Sequence, residues 1–156
     1  MNHLNNLSAQ KLIEILNLSP LQGEGGFYRQ TFKSDRIVGI YEKESLNYKR
    51  SAGTAIYYLI TPESFSNWHR LKHEEIFHFY YGESVEMTQI LENGGKKTFR
   101  LGSKLLEGEA FQVVVPANTW QSTRLISPKG WALLGCTVSP GFEYEDFELK
   151  KDLDPK

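Results

Sequence analysis

The sequence predicts an all-β domain, a barrel or sandwich preceded by one short helix. Three observations carry that expectation. After Gly26, β-branched and aromatic residues come in runs too short for helices. Turn-forming clusters separate these runs at fairly even spacing. The strand runs follow one another directly, whereas a parallel βαβ sheet would alternate them with helical patterns.

The helix comes first, in "NLSAQKLIEILNLSP". Ser8 is a good N-cap, because its hydroxyl can accept from a free backbone N–H of the first turn. Leu7 and Leu12 are spaced to meet across that cap as a hydrophobic staple. Leu12, Ile13 and Leu16 then form one apolar face, and Pro20 bars continuation, which places the helix at about 8–17. Strand runs follow from about residue 27: "FYRQTFK", "TAIYYLIT", "IFHFYY", "VEMTQIL", "KTFRL", "FQVVVP", "TWQSTRLI" and "WALLGCTV". Between them lie "TPES", "ENGG", "LGSK", "LEGE", "VPAN" and "SPKG". "ENGG" joins two alternating runs and reads as a hairpin turn, since Asn and Gly tolerate the positive φ that such turns need. There is no repeat, linker or low-complexity tract, so residues 1–156 read as one domain with its barrel at about 27–149. The polar tail "KKDLDPK" and His3 are expected to fray at the surface.

A chain of 156 residues with 40% apolar and 24% charged content can bury a real core. Eighteen basic residues face nineteen acidic ones, and no basic block stands out, so a nucleic-acid backbone is not the expected partner. A lone cysteine, Cys136, forms no intramolecular disulfide and fits a reducing compartment. Its apolar setting, "WALLGCTV", reads as a buried, inert thiol. No signal peptide and no stretch of membrane-spanning length is visible, so a cytoplasmic location away from membranes is expected.

Candidate chemistry concentrates in "SNWHRLKHEEIFHFYYGE", which holds three of the four histidines. Strand parity puts His78 three positions from Glu75 and so on the opposite face, while His73 falls in a turn. From His69, the spacing through Leu71 and Glu75 to Gly82 follows H-x-H-x-x-x-E-x-x-x-x-x-x-G, with leucine in the second histidine slot. "PANTWQ" follows P-x-G-x-x-H, with Asn118 in the glycine slot and Gln121 in the last histidine slot.

These patterns resemble the two motifs of the cupin superfamily. With "EGGFYRQT", "QVVVPANTWQ" and "GCTVSPGFEYEDFEL" in the same order, the chain is similar to one cupin subgroup over nearly its whole length. That subgroup, from bacteria, fungi and plants, was first catalogued as a domain of unknown function and labelled predicted sugar epimerase. The resemblance implies a double-stranded β-helix, a jelly-roll barrel open at one end, and a homodimer. It also implies that His69 and Glu75 sit on neighbouring strands and face the barrel's pocket.

Metal-binding cupins supply three nitrogens and one carboxylate. Leu71 has no donor atom and Gln121 is a weak ligand, so no cofactor is expected. A metal held by His69, Glu75 and Gln121 is the weaker alternative. In cupin epimerases of keto-sugars, the histidine at the position of His69 resembles a general base, and a tyrosine returns the proton. Tyr28, Tyr57 and Tyr80 are candidates for that donor, and Tyr57 is carried forward with His69 and Glu75 as catalytic residues. Glu24, Arg29, Gln121, Trp120 and His78 are assigned to substrate binding, Arg29 for an anionic group. The family's base also has a buried aspartate partner, to which no residue is assigned.

Plainer readings stand beside these. His69 is then a core histidine bonded to Glu75, Glu75 pairs with Arg29 or Lys72, and Gly25 and Gly26 serve close packing. Trp68, Trp120 and Trp131 are core or rim, and "PGFEYEDFELK" closes the barrel's side or covers a partner. The function expected is binding of a small carbohydrate-like ligand, with epimerase or isomerase activity on a keto-sugar or nucleotide-linked sugar. A non-catalytic metabolite-binding cupin and a metal-dependent enzyme with atypical ligands stay open as alternatives.

Overall fold

A computed structural model describes residues 7–150; His3 and nearly all of the polar tail lie outside them. Helix α1 runs Ala9–Leu16, with the Ser8 hydroxyl accepting from the Lys11 N–H. It ends at Asn17 in the left-handed region, before Pro20 can act. Leu12 packs with Leu18 and Leu59, with Leu7, Leu133 and Trp131 against them. The Trp131 indole N–H donates to the Leu7 carbonyl at 2.8 Å, fixing the helix to the outside of the barrel. Among the described residues no helix is long and apolar enough to cross a membrane.

Thirteen strands follow among the described residues: β1 Ser19–Pro20, β2 Phe27–Lys33, β3 Ile37–Glu42, β4 Ser45–Ser51, β5 Thr54–Ile60, β6 Ser66–Leu71 and β7 Glu74–Gly82, then β8 Val85–Ile90, β9 Lys96–Leu101, β10 Gln112–Val115, β11 Trp120–Leu125, β12 Ala132–Ser139 and β13 Phe147–Leu149. One antiparallel sheet has the order β1-β2-β5-β12-β7-β10 and the facing sheet β13-β6-β11-β8-β9. Two sheets rolled face to face make the jelly-roll barrel that the strand pattern predicts. The eight runs read from sequence all appear as strands. The β3-β4 hairpin, β1, β6 and β13 are additions that periodicity did not mark.

Period-two alternation divides the barrel interior along its length. Tyr58, Phe77 and Leu134 are buried in the main apolar core. Two residues along the same strands, Ile56, Glu75 and Cys136 line a cavity of about 280 Å³. The core therefore plugs one end of the barrel and leaves the other open. The C-terminal segment closes the side: β13 pairs with β6, and Phe142, Tyr144 and Phe147 form part of the cavity wall. Arg50 anchors this segment, its Nε donating to Asp146 Oδ2 at 2.7 Å and its Nη2 to Oδ1 at 2.9 Å, with both side chains buried.

Candidate functional site

His69 comes from β6 and Glu75 from β7. The two strands are consecutive in the chain but belong to opposite sheets, so they are not the paired neighbours the motif suggested. Their side chains face the same cavity from opposite walls. A bulge makes this arrangement. His69 stands opposite Gln121 and Ser66 opposite Thr123, so β6 carries one residue more than β11 between these pairs. The extra residue turns both Ser66 and His69 inward, although they are three positions apart.

The bulge also orients the imidazole. His69 Nδ1 lies 2.7 Å from the carbonyl oxygen of Asn67. A carbonyl only accepts, so Nδ1 carries a proton, and whenever the ring is neutral the lone pair is on Nε2. Nε2 is 3.7 Å from Glu24 Oε1, which also accepts from the Ser66 hydroxyl at 2.8 Å. Glu24 is placed by the same segment: the Asn67 amide donates to its carbonyl at 2.7 Å. Gly25 and Gly26 serve close packing, as the plainer reading held. A Cβ on Gly25 would stand 2.3 Å from the Phe65 carbonyl oxygen, and φ is +102° there.

Glu75 is 6% exposed. Burial raises its proton affinity, and neighbouring Glu24 adds to that; His69 and hydrogen bonds from Gln121 and Cys136 pull the other way. The balance is a pKa pushed up to about 7, which leaves the carboxyl partly protonated near neutrality. Gln121 Nε2 donates to Glu75 Oε2 at 2.6 Å, while Gln121 Oε1 is buried without a hydrogen-bond partner. Neither Arg29 nor Lys72 pairs with Glu75: Arg29 lies over the Tyr57 ring, and Lys72 approaches Asp146. Burial beside Glu75 and Glu24 holds the Cys136 thiol protonated, its pKa well above the ordinary value.

Of the residues assigned from sequence, His69, Glu75 and Glu24 line the cavity, and Gln121 supports Glu75 from behind. Four others lie elsewhere. Arg29 and Tyr57 are cross-strand partners on the outer face of their sheet, where Tyr57 meets Tyr80 edge-on. His78 is also outside, between Thr137 Oγ1 at 2.9 Å and the Gln112 amide at 3.0 Å. Trp120 stacks with Arg70 and Lys150 rather than facing the cavity. The tyrosines that reach the cavity are Tyr28 and Tyr144, whose hydroxyls share a hydrogen bond at 3.3 Å. That bond, with some burial, pushes the Tyr144 pKa up to about 12. Tyr144 and the orienting Asn67 carbonyl were both missed by sequence reasoning. The first comes from a distant segment, and the second is a backbone atom that any residue could supply.

The donor set does not suit a cupin metal centre. One imidazole nitrogen faces the cavity, Leu71 fills the second histidine position there, and the Gln121 amide points its nitrogen at Glu75. Among the described residues no group of three or more His, Cys, Asp or Glu is arranged to hold a metal ion.

The family model described as the cupin superfamily (DUF985) matches residues 10–150. The chain belongs to the cupin superfamily. The uncharacterized Saccharomyces cerevisiae protein YML079W is 26% identical over 140 residues, 84% of this chain and 70% of that protein. A solved structure of protein SO0799 from Shewanella oneidensis superposes with a TM-score of 0.80 at 33% identity, covering 92% of this chain and 85% of that one. A hypothetical protein from Leishmania major gives 0.83 at 30% identity, covering 92% and 88%. Bacillus subtilis oxalate decarboxylase shares the cupin fold at a TM-score of 0.59 and 17% identity; the match covers 88% of this chain but only 31% of the decarboxylase.

Proposed function

We propose that this cupin binds a small sugar-like ketone and inverts or shifts the centre next to its carbonyl by metal-independent proton transfer. One observation carries the reading. An imidazole whose Nδ1 is held by a backbone carbonyl turns Nε2 to the same cavity as a carboxyl that is partly protonated near neutrality. His69 Nε2 takes the proton α to the ketone, and the C–H electrons move into the carbonyl as an enolate. Protonated Glu75 donates a hydrogen bond to the enolate oxygen, as a buried neutral carboxylic acid can. Tyr28, linked to Tyr144, reprotonates the carbon from the opposite sheet. The proton left on His69 returns to the tyrosine through solvent, which restores both groups.

The test is proton NMR in D₂O with a panel of free and nucleotide-linked keto-sugars. Loss of the α-proton signal, through solvent deuterium entering that carbon, is the expected result. His69→Ala should slow it by about 10²–10⁴, the usual worth of a positioned general base. A ligand that binds but never exchanges would identify a non-catalytic metabolite-binding cupin. Unchanged exchange in both His69→Ala and Glu75→Gln would remove these residues from the chemistry.

A homodimer belongs to the same reading. Tyr80, Phe111 and Val114, each about half exposed, lie on adjoining parts of one sheet and support it. Light scattering on the purified chain checks it. A cytoplasmic location is retained as part of the proposal.

A further inference from the structure

The charges around the cavity oppose an anionic ligand. Among the described residues three carboxyl groups line it, Glu24, Glu75 and Glu143, against one cation, Lys33. Lys33 is already paired with Glu143. Among the described residues no arginine lines the cavity: Arg29 is outside over Tyr57, Arg50 is committed to Asp146 and Glu145, and Arg70 to Glu148. A phosphate or carboxylate entering beside Glu24 and Glu75 would find no free positive partner and at least one like charge.

What the walls do offer suits a neutral sugar ring. Glu24 and Glu75 can accept from hydroxyls. Phe147 lies 5.5 Å from the His69 ring and 6.4 Å from Phe142, presenting apolar surface to C–H faces. About 280 Å³ is at the small end for a ligand pocket, enough for one ring and little more.

We infer that the enclosed part of the ligand is a hydroxyl-rich ring of monosaccharide size that carries no negative charge, and that the site selects against phosphorylated and acidic sugars. This rests on the reading of the cavity as the substrate site, and it replaces the anion contact expected of Arg29. Glu143 then acts as a specificity residue, holding the one cation at the cavity out of use.

The experiment is a binding screen by thermal shift and isothermal titration. It uses neutral aldoses and ketoses beside their 6-phosphates, uronic acids and amino-sugar counterparts. Binders are expected from the neutral set, at least tenfold tighter than their phosphorylated and acidic counterparts and weakened in Glu24→Gln. In Glu143→Gln the affinity ratio of phosphorylated to neutral sugar should rise at least fivefold, because Lys33 is released. Tighter binding by a phosphorylated or acidic sugar, no binder at all, or an unmoved ratio would each overturn the inference. The outcome is separable from that of the acid–base reading. A neutral sugar that binds without deuterium exchange sinks that chemistry and leaves this selectivity standing, whereas an anionic sugar that exchanges does the reverse.

Discussion

Glu75→Gln tests the site through stability rather than turnover. The Glu75 carboxyl has an ordinary pKa of 4.5 but one of about 7 when folded. Between those values the folded chain keeps a proton that the unfolded chain has released. Stability therefore falls as pH rises through this window and levels off above it. At about 1.4 kcal/mol per pH unit, the integrated loss is about 3 kcal/mol. That is a large share of the roughly 5–15 kcal/mol by which domains are stable. Glutamine does not titrate, and its side-chain oxygen can still accept the Gln121 amide that Glu75 accepts at 2.6 Å. The variant should match wild type at about pH 4, below the window, and exceed it by about 3 kcal/mol at pH 8. Urea titrations at a series of pH values measure the difference directly. In thermal melts the same gain is about 6–12 °C for a chain of this size. A gap between variant and wild type that does not change with pH would refute the argument, because it would mean that Glu75 ionises freely in the folded barrel.

Three further expectations follow from the same geometry. Arg50→Met leaves Asp146 buried without its bidentate partner and should cost about 3–5 kcal/mol in urea titrations, with Tyr144 and Phe147 losing near-UV dichroism first. Burial raises the Asp146 pKa, but Arg50 outweighs it and the net shift is downward; wild-type stability from this pair is thus present above the unfolded value near 4 and lost as pH falls through the lower folded one. Gln121→Leu removes the amide that favours ionised Glu75, so a ¹³C-carboxyl titration should move above about 7, and an unmoved curve would deny Gln121 that role. Replacing Lys43-Glu44 by Asn-Gly in the β3-β4 turn should stabilise the chain by about 1 kcal/mol, since both residues sit at positive φ, 46° and 70°.

That turn also shows where local sequence signals fail. Lys-Glu is an unusual choice for two consecutive positive-φ positions, so nothing in "IYEKESL" announced the hairpin. "ENGG" carried its own chemistry and was legible: Gly94 has φ 81°, and the Asn93 side chain accepts from the Gly95 N–H. Strand parity was only partly used. Tyr28 and Arg29 are adjacent and cannot both face inward, and Arg29 pairs with Tyr57, so Tyr28 inside puts both of them outside. Lys33 was beyond parity altogether. A register shift between Gln30 and Phe32 reverses the alternation, leaving Phe32 exposed and Lys33 on the cavity.

The missing aspartate partner of His69 has the same cause. A carboxylate that orients a histidine leaves an acidic residue to find in the sequence, but the Asn67 carbonyl that takes this place leaves no mark there. It reaches Nδ1 because β6 bulges beside it, and the same bulge brings the Ser66 hydroxyl onto Glu24. One extra residue in one strand thus sets which His69 nitrogen meets the backbone, which one faces the cavity and where the nearest carboxyl group lies. The consequence differs from that of a carboxylate-oriented histidine. A neutral carbonyl fixes the ring without adding a negative charge behind it, so under the proposed proton abstraction the imidazolium must draw its stabilisation from Glu24 on the cavity side. Glu24→Gln should therefore lower exchange at saturating ketone while leaving the Nδ1–H signal of His69 in place by ¹⁵N NMR; loss of that signal would show that Glu24, rather than the bulge, sets the tautomer.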